Sequence, residues 1–332
     1  MNWKRLVLGI TLSLVIIMGS SHAAFAGDIP DCEPAATRIA SGLGEFLVGS
    51  TVGPDGALYV PEGAAGRIWR VDPKTGEATT FASGLPKTVV LGDLGGAVDV
   101  AFIDDTAYIL VTLVGKDYGG NDVVGIYRMD GPDSYTVIAD IGTWSMDHPP
   151  IPEFVVPSGV QFSMQPYKGG FLVTDGHHNR VLFVRLNGKI TELVAFSDVV
   201  PTGLAVWGNR IYMTEAGPIP HHPQDGKIIT FKPKSYTPKE VASGASMLID
   251  VEFGPGRTLY ALSHGIWPDP SYEGAPAVPN TGSLVKVDEN GSLTAVIGCL
   301  NQPTSLEFIG KTAYALTLGG EIWKIDNVSS LP

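Results

Sequence analysis

Carboxylates close three recurring apolar segments of this chain, at Glu62, Asp175 and Glu215, and Asp99 and Asp250 stand inside two others. Oxygens of this kind converging on one point hold Ca²⁺ or another divalent cation, because hard cations take several oxygen ligands. A second reading stays open, in which the same acids cap loop amides or line a hydrated channel. Six histidines, His148, His177, His178, His221, His222 and His264, fall in Pro-rich or turn-rich stretches. Imidazoles suit a softer metal, although neighbours such as His177 and His178 point to opposite sides of an extended chain. Tyr118, Trp144, Phe154, Trp267 and Tyr272 share those stretches and offer ring faces to a small, aromatic ligand.

Sharper catalytic signatures are missing. The sequence has no GxSxG elbow, no Walker loop, no GxGxxG after a strand and no HExxH. Two cysteines cannot build a Cys-based zinc knuckle or a haem attachment site.

The candidate residues hang on a repeat. One line recurs as ALYVPEG from Ala57, TAYILVT from Thr106, GFLVTDG from Gly170, RIYMTEA from Arg210, TLYALSH from Thr258 and TAYALTL from Thr312. A second follows each time, as in GRIWRVD from Gly66 and GEIWKID from Gly320, and a third precedes each pair, as in AVDVAFI and TSLEFIG. Short alternating runs bounded by Gly, Pro and Asp read as strands. A fourth, outer strand closes each unit except the last, where the chain ends; TRIASG from Thr37 matches KEVASG from Lys239 and supplies it. Six four-stranded sheets closed by an N-terminal strand predict an all-β, six-bladed β-propeller with about 49 residues per blade.

Composition agrees. The chain holds 41 Gly and 25 Pro, together 66 of 332 residues, against a usual share of roughly 12%. Both residues break helix interiors, which excludes a mostly helical protein. Hydrophobic residues at 44% with charged residues at 17% exclude a disordered one. An excess of 34 acidic over 22 basic residues makes nucleic acid a poor partner.

In a propeller the links from first to second and third to fourth strand share one face. There they are tight turns such as GPDG at Gly53 and GPGR at Gly254. The opposite face receives the long links, 115–122, 143–154, 216–225 and 264–281, and the six histidines that follow the signal segment. Long loops on a rigid scaffold commonly carry function, so this face is the expected binding surface for a small molecule or a protein partner.

Lys4 and Arg5, an apolar run from Leu6 to Met18 and Ala24-Phe25-Ala26 read as a signal peptide cut after Ala26, giving a secreted or periplasmic protein. The run is too short for a comfortable membrane span, so no span is expected after cleavage. The expected organisation is 1–26 signal peptide, 27–36 lead-in and 37–332 propeller. Export permits a disulfide. Ring closure brings Cys32, just before the closing strand, near Cys299, just after the outer strand of blade five; two unpaired thiols are the alternative.

At GPDGALYV (Gly53 to Val60), GRIWRVD (Gly66 to Asp72), VPTGLAV (Val200 to Val206) and TEAGPIP (Thr214 to Pro220), the chain resembles the ScyD/ScyE family, from about Thr37 to Asp326. Its blade motifs also resemble NHL-type and gluconolactonase-type propellers. The first resemblance implies an exported bacterial protein acting near the assembly or export of a small aromatic metabolite, since some members are associated with biosynthesis of the indolic pigment scytonemin. The second implies a metal-dependent lactonase or hydrolase, in which a cation polarises a carbonyl and activates water. Glu62, Asp175 and Glu215 would then be ligands or bases. Quinone-dependent dehydrogenases also use six-bladed propellers and form a third reading. Signal cleavage removes two bases, leaving 20 against 34 acids, so the net charge moves from −12 to −14. Mass spectrometry of the exported protein should find Gly27 as its first residue; an intact Met1 would refute the cleavage.

Overall fold

Residues 32–152, 155–233, 235–272 and 274–330 are described by the computed structural model of the chain. The signal segment and Phe154 lie outside the described residues. Period-two alternation in the repeats forms strands, and the Gly-rich turns fold them into antiparallel sheets. The closing strand β1 (Thr37–Ala40) comes first in the chain. Blade 1 contains β2 (Thr51–Val52), β3 (Leu58–Glu62), β4 (Arg67–Val71) and β5 (Ala78–Ala82). Blade 2 contains β6 (Gly96–Ile103), β7 (Thr106–Thr112), β8 (Gly125–Gly131) and β9 (Ser134–Asp140). Blade 3 contains β10 (Gln161–Tyr167), β11 (Gly170–Asp175), β12 (Arg180–Arg185) and β13 (Ile190–Ala195). In blade 4 they are β14 (Pro201–Trp207), β15 (Arg210–Glu215), β16 (Lys227–Lys232) and β17 (Ser235–Ser243). Blade 5 has β18 (Leu248–Phe253), β19 (Leu259–Ser263), β20 (Gly282–Val287) and β21 (Leu293–Leu300). The last has β22 (Pro303–Ile309), β23 (Thr312–Thr317) and β24 (Ile322–Ile325). Strand β1 pairs antiparallel with β24, Thr37 opposite Lys324, and so completes blade 6. The all-β, six-bladed propeller stands as expected.

Apolar side chains pack between blades. Tyr59 of blade 1 meets Phe81 and, across the seam, Phe102 of blade 2, with centroids 4.9 and 4.8 Å apart in edge-on contacts. Leu110 and Ile126 of blade 2 share a buried cluster with Phe171 and Leu182 of blade 3. Each such side chain contributes about 1.5–3 kcal/mol when fully buried. Every seam also carries a polar link near the axis. Gly49 N–H donates to Val98 O, Thr112 pairs with Gln161, and Thr174 donates to Thr202 O. Thr202 continues to Leu248 O, His264 meets Pro303 O, and Ser50 bonds Ser305.

One element differs from the expectation. The stretch after β9 reads as a Pro-rich loop, yet its first part coils into helix α1 (Ile141–Asp147). Asp140 caps it, accepting from Thr143 N–H at 2.8 Å, and the Pro149-Pro150 pair prevents its extension. Among the described residues no helix is long and apolar enough to cross a membrane.

Cys32 and Cys299, 267 positions apart in sequence, form a disulfide with Cα atoms 5.8 Å apart. Closure of so long a loop is worth on the order of 5 kcal/mol at most, and commonly less. A Cys32→Ser/Cys299→Ser variant should keep its native circular dichroism and lose about 2–4 kcal/mol in urea unfolding. An unchanged midpoint would show that the β1–β24 ladder alone keeps the ring shut.

Candidate functional site

The innermost strands bring together two of the five candidate acids. Asp99 on β6 accepts from Val100 N–H at 2.8 Å and from Met164 N–H, in blade 3, at 2.6 Å. Asp250 on β18 repeats this in the opposite blade, accepting from Val251 N–H at 2.8 Å and Leu306 N–H, in blade 6, at 2.7 Å. Each carboxylate also fills a place left by a glycine of the preceding blade. A Cβ on Gly49 would stand 2.2 Å from Asp99 Oδ1, and one on Gly203 would stand 2.5 Å from Asp250 Oδ1. The two acids thus tie blades 1–2–3 and 4–5–6.

Two acids that the sequence reading missed join them. Glu252 lies two residues beyond Asp250, and Glu307 stands on the innermost strand of blade 6. Burial pushes Asp250 up to about 7, against the Leu306 and Val251 donors. Burial likewise lifts Asp99 well above the usual carboxylate range, and in Glu252 and Glu307 neighbouring negative charges add to it. Burial and mutual repulsion both favour the protonated forms of these acids. The first strands of blades 2, 5 and 6 supply one signal that sequence could have used, a Glu or Asp on a largely apolar inner strand.

The remaining acids stand apart, each at the long-loop end of its own blade. Glu62 is held by Arg67 and by Trp69 Nε1, the latter at 2.9 Å. Asp175 is fully buried and accepts from Val160 N–H at 3.1 Å and Arg180 Nε at 3.3 Å. Burial would raise its pKa, but the His178 hydrogen bond and the charges of His178 and Arg180 outweigh burial and hold it below the usual range. Glu215 is 6% exposed and lines a cleft between blades 3 and 4. Among the described residues no three His, Cys, Asp or Glu side chains are grouped as a metal ion requires.

Arg180, which sequence reading passed over, organises the loops above blade 3. Its guanidinium donates to Asp175, to His148 O at 2.8 Å and to His178 Nδ1 at 2.9 Å, and lies 5.0 Å from the Trp144 ring. His178 Nε2 meets Val156 O at 3.1 Å. The legible signal was a repeated cross-strand pair: Glu62 faces Arg67, Asp175 faces Arg180 and Glu215 faces Lys227 at the tops of second and third strands.

The loop-face candidates divide by exposure. Trp144 is half-buried and stacks on His148, centroids 4.3 Å apart. Tyr118 donates to Asp93 at 2.9 Å, and burial with the Asp93 bond pushes its phenol up to about 12. His177 Nε2 accepts from Val156 N–H at 3.3 Å. Trp267 is buried, edge-on to His221 at 4.7 Å, above Met247, Ala275 and Ala277. It anchors its own loop. His264 is buried too, and burial lowers it to about 4, so it is neutral at pH 7 beside Pro303 O. His148, His222 and Tyr272 are exposed.

No family model matches the chain, and no curated protein does. Among solved structures, a gluconolactonase from Xanthomonas campestris has a TM-score of 0.61 at 12% identity over 94% of each chain. A PQQ-bound aldose sugar dehydrogenase from Streptomyces coelicolor has a TM-score of 0.55 at 15% identity, over 88% of this chain and 97% of its own. Virginiamycin B lyase from Staphylococcus aureus has 0.52 at 11%, over 88% and 98%. These proteins are β-propellers. At such identities the likeness is one of fold, which hosts many functions.

The raised carboxyls of the channel have a measurable consequence. A carboxyl raised in the folded state costs nothing below the unfolded Glu value, where both states are protonated, and destabilises progressively as pH rises through its folded value. Glu252→Gln keeps an acceptor for Phe253 N–H. It should match wild-type urea stability near pH 4 and exceed it by about 1–2 kcal/mol at pH 8. Equal stability at both pH values would contradict the channel's protonation.

Proposed function

We propose that the protein is an exported binding propeller whose long-loop face docks a partner protein through apolar contacts. One observation carries this reading: the distribution of exposed large apolar side chains. Val89, Val90 and Leu91 project from the link between blades 1 and 2, and Met146, Ile151 and Val155 from the link between blades 2 and 3. Ile219, Ile266 and Tyr272 continue the set on the loops of blades 4 and 5. Ile151 is 99% exposed, Val155 89% and Leu91 88%. Tyr135, Val137, Leu186 and Trp207 are exposed elsewhere, each between 37% and 45%, so the most exposed apolar side chains gather on the loop face, and such gathering marks an interaction surface. Its spread over the loops of several blades suits a protein better than a metabolite. The acid excess opposes an anionic membrane.

The ScyD/ScyE resemblance supports a place beside the assembly or export of a small aromatic metabolite such as a scytonemin-like pigment. Binding a small metabolite on the same face is weakened by the internal engagement of Trp144 and Trp267. The hydrolase reading, with Ca²⁺ or another divalent cation, rests on likeness of fold to a gluconolactonase. Glu62 and Asp175 are engaged by arginines, and Asp99 and Asp250 by backbone donors, which disfavours them as ligands. The quinone-dependent dehydrogenase reading has fold likeness alone behind it.

A photoreactive residue at position 151, in the exported protein, should cross-link a partner that can then be purified. A Leu91→Asp/Ile151→Asp/Val155→Asp variant should bind that partner at least tenfold more weakly, while Leu186→Asp on the short-turn face should bind normally. Equal binding by both variants would refute docking on the loop face.

A further inference from the structure

Two of the three cross-strand acid–base pairs are closed, and the third is open. Arg67 holds Glu62 and Arg180 holds Asp175. In blade 4 the Lys227 ammonium turns to Glu240 Oε2 at 3.2 Å instead. Among the described residues no hydrogen bond or ion pair reaches the Glu215 side chain, although the residue is only 6% exposed. Its carboxylate therefore opens onto the cleft without a protein donor, and a carboxylate so largely desolvated gains from one.

Glu215 faces a cleft of about 420 Å³. Val194, Phe196 and Val199 of blade 3 and its following link, with Ile229 of β16, form its apolar wall. The charged groups facing Glu215 are Lys227 on β16 and Glu240 on β17, and blade 3 adds no titratable group to the lining. Two carboxylates against one ammonium leave one negative charge uncompensated when Glu215 is ionised.

We propose that this cleft binds an organic ammonium ion, its N–H groups on Glu215 and its apolar body against Phe196 and Ile229. An ammonium supplies the donors that Lys227 withholds, and a charge-assisted hydrogen bond in a sheltered cleft is stronger than a neutral one. An anion meets the excess carboxylate, and a neutral alcohol supplies one weaker donor. The site lies between two blades and does not depend on protein docking at the exposed loops.

Protonation sets the pH behaviour. Burial pushes Glu215 up to about 7, with Lys227 opposing and Glu240 adding to the rise. Below that pH the carboxyl is neutral and must lose its proton to pair with the ammonium. Affinity therefore falls on the order of tenfold per pH unit as pH drops below 7, and binding near pH 7 releases a proton.

Titration calorimetry with 2-phenylethylamine, 2-phenylethanol and phenylacetate on the whole exported protein tests this. At pH 8 the amine should bind at least tenfold more tightly than the alcohol, and the acid should not bind. Near pH 7 the heat should change with the buffer's ionisation enthalpy. Glu215→Gln should weaken the amine about 10- to 100-fold and abolish the proton release. Lys227→Met, which removes the competing cation, should tighten it and keeps the test open if the glutamine variant does not fold. Equal affinity for amine and alcohol, no amine binding at millimolar concentration, or amine binding unmoved by both substitutions would overturn the proposal.

Discussion

The propeller depends on how its inner edges are joined. Each blade begins with a strand whose axis-facing backbone groups have no fifth strand to pair with, and six such edges crowd one channel. Edge groups left without partners are costly when buried. Asp99 and Asp250 answer this at opposite points of the ring, each bonding N–H groups of its own blade and of the next. Gly49 and Gly203 are small because a carboxylate occupies the space a side chain would need. The arrangement places like charges near one another, and the channel answers by keeping protons that open solvent would remove.

A second device works at the loop end of the blades. An acid finishing the second strand faces a base starting the third in blades 1, 3 and 4. Where arginine is the base, its planar fork holds the acid and still reaches other groups. Arg180 reaches His148 O, His178 and the Trp144 ring, so one guanidinium ties the link between blades 2 and 3 to the β11–β12 loop. Lysine in blade 4 has a single ammonium, and Glu240 takes it. The same motif therefore yields two structural locks and one open cleft, through a difference of one residue type and one neighbour.

Blade number, blade boundaries and ring closure were legible because they rest on local period-two patterning and on the match between TRIASG and KEVASG. The Cys32–Cys299 bridge followed from that closure. Other features were hidden for identifiable reasons. Helix α1 is seven residues long, and its Asp140 cap reads as the polar end of a strand. Trp267 and Tyr272 belong to the same loop, yet one is buried and the other 67% exposed, because the loop folds back on Met247. The apolar link at 89–91 looks like core by composition and projects into solvent.

The repeat itself determined an all-β ring of six blades with short turns on one face and long loops on the other. That information is local: alternation, turn residues and segment spacing act within each strand and its neighbour. Which acids are locks, which are raised by burial and by one another, and which is left open was decided only by the closed ring. Residues 56 or 65 positions apart, such as Asp250 with Leu306 and Asp99 with Met164, become partners when neighbouring blades pack. Charge, donor supply and burial at Glu215 are likewise properties of the space between blades 3 and 4, a space that exists only after the blades have assembled.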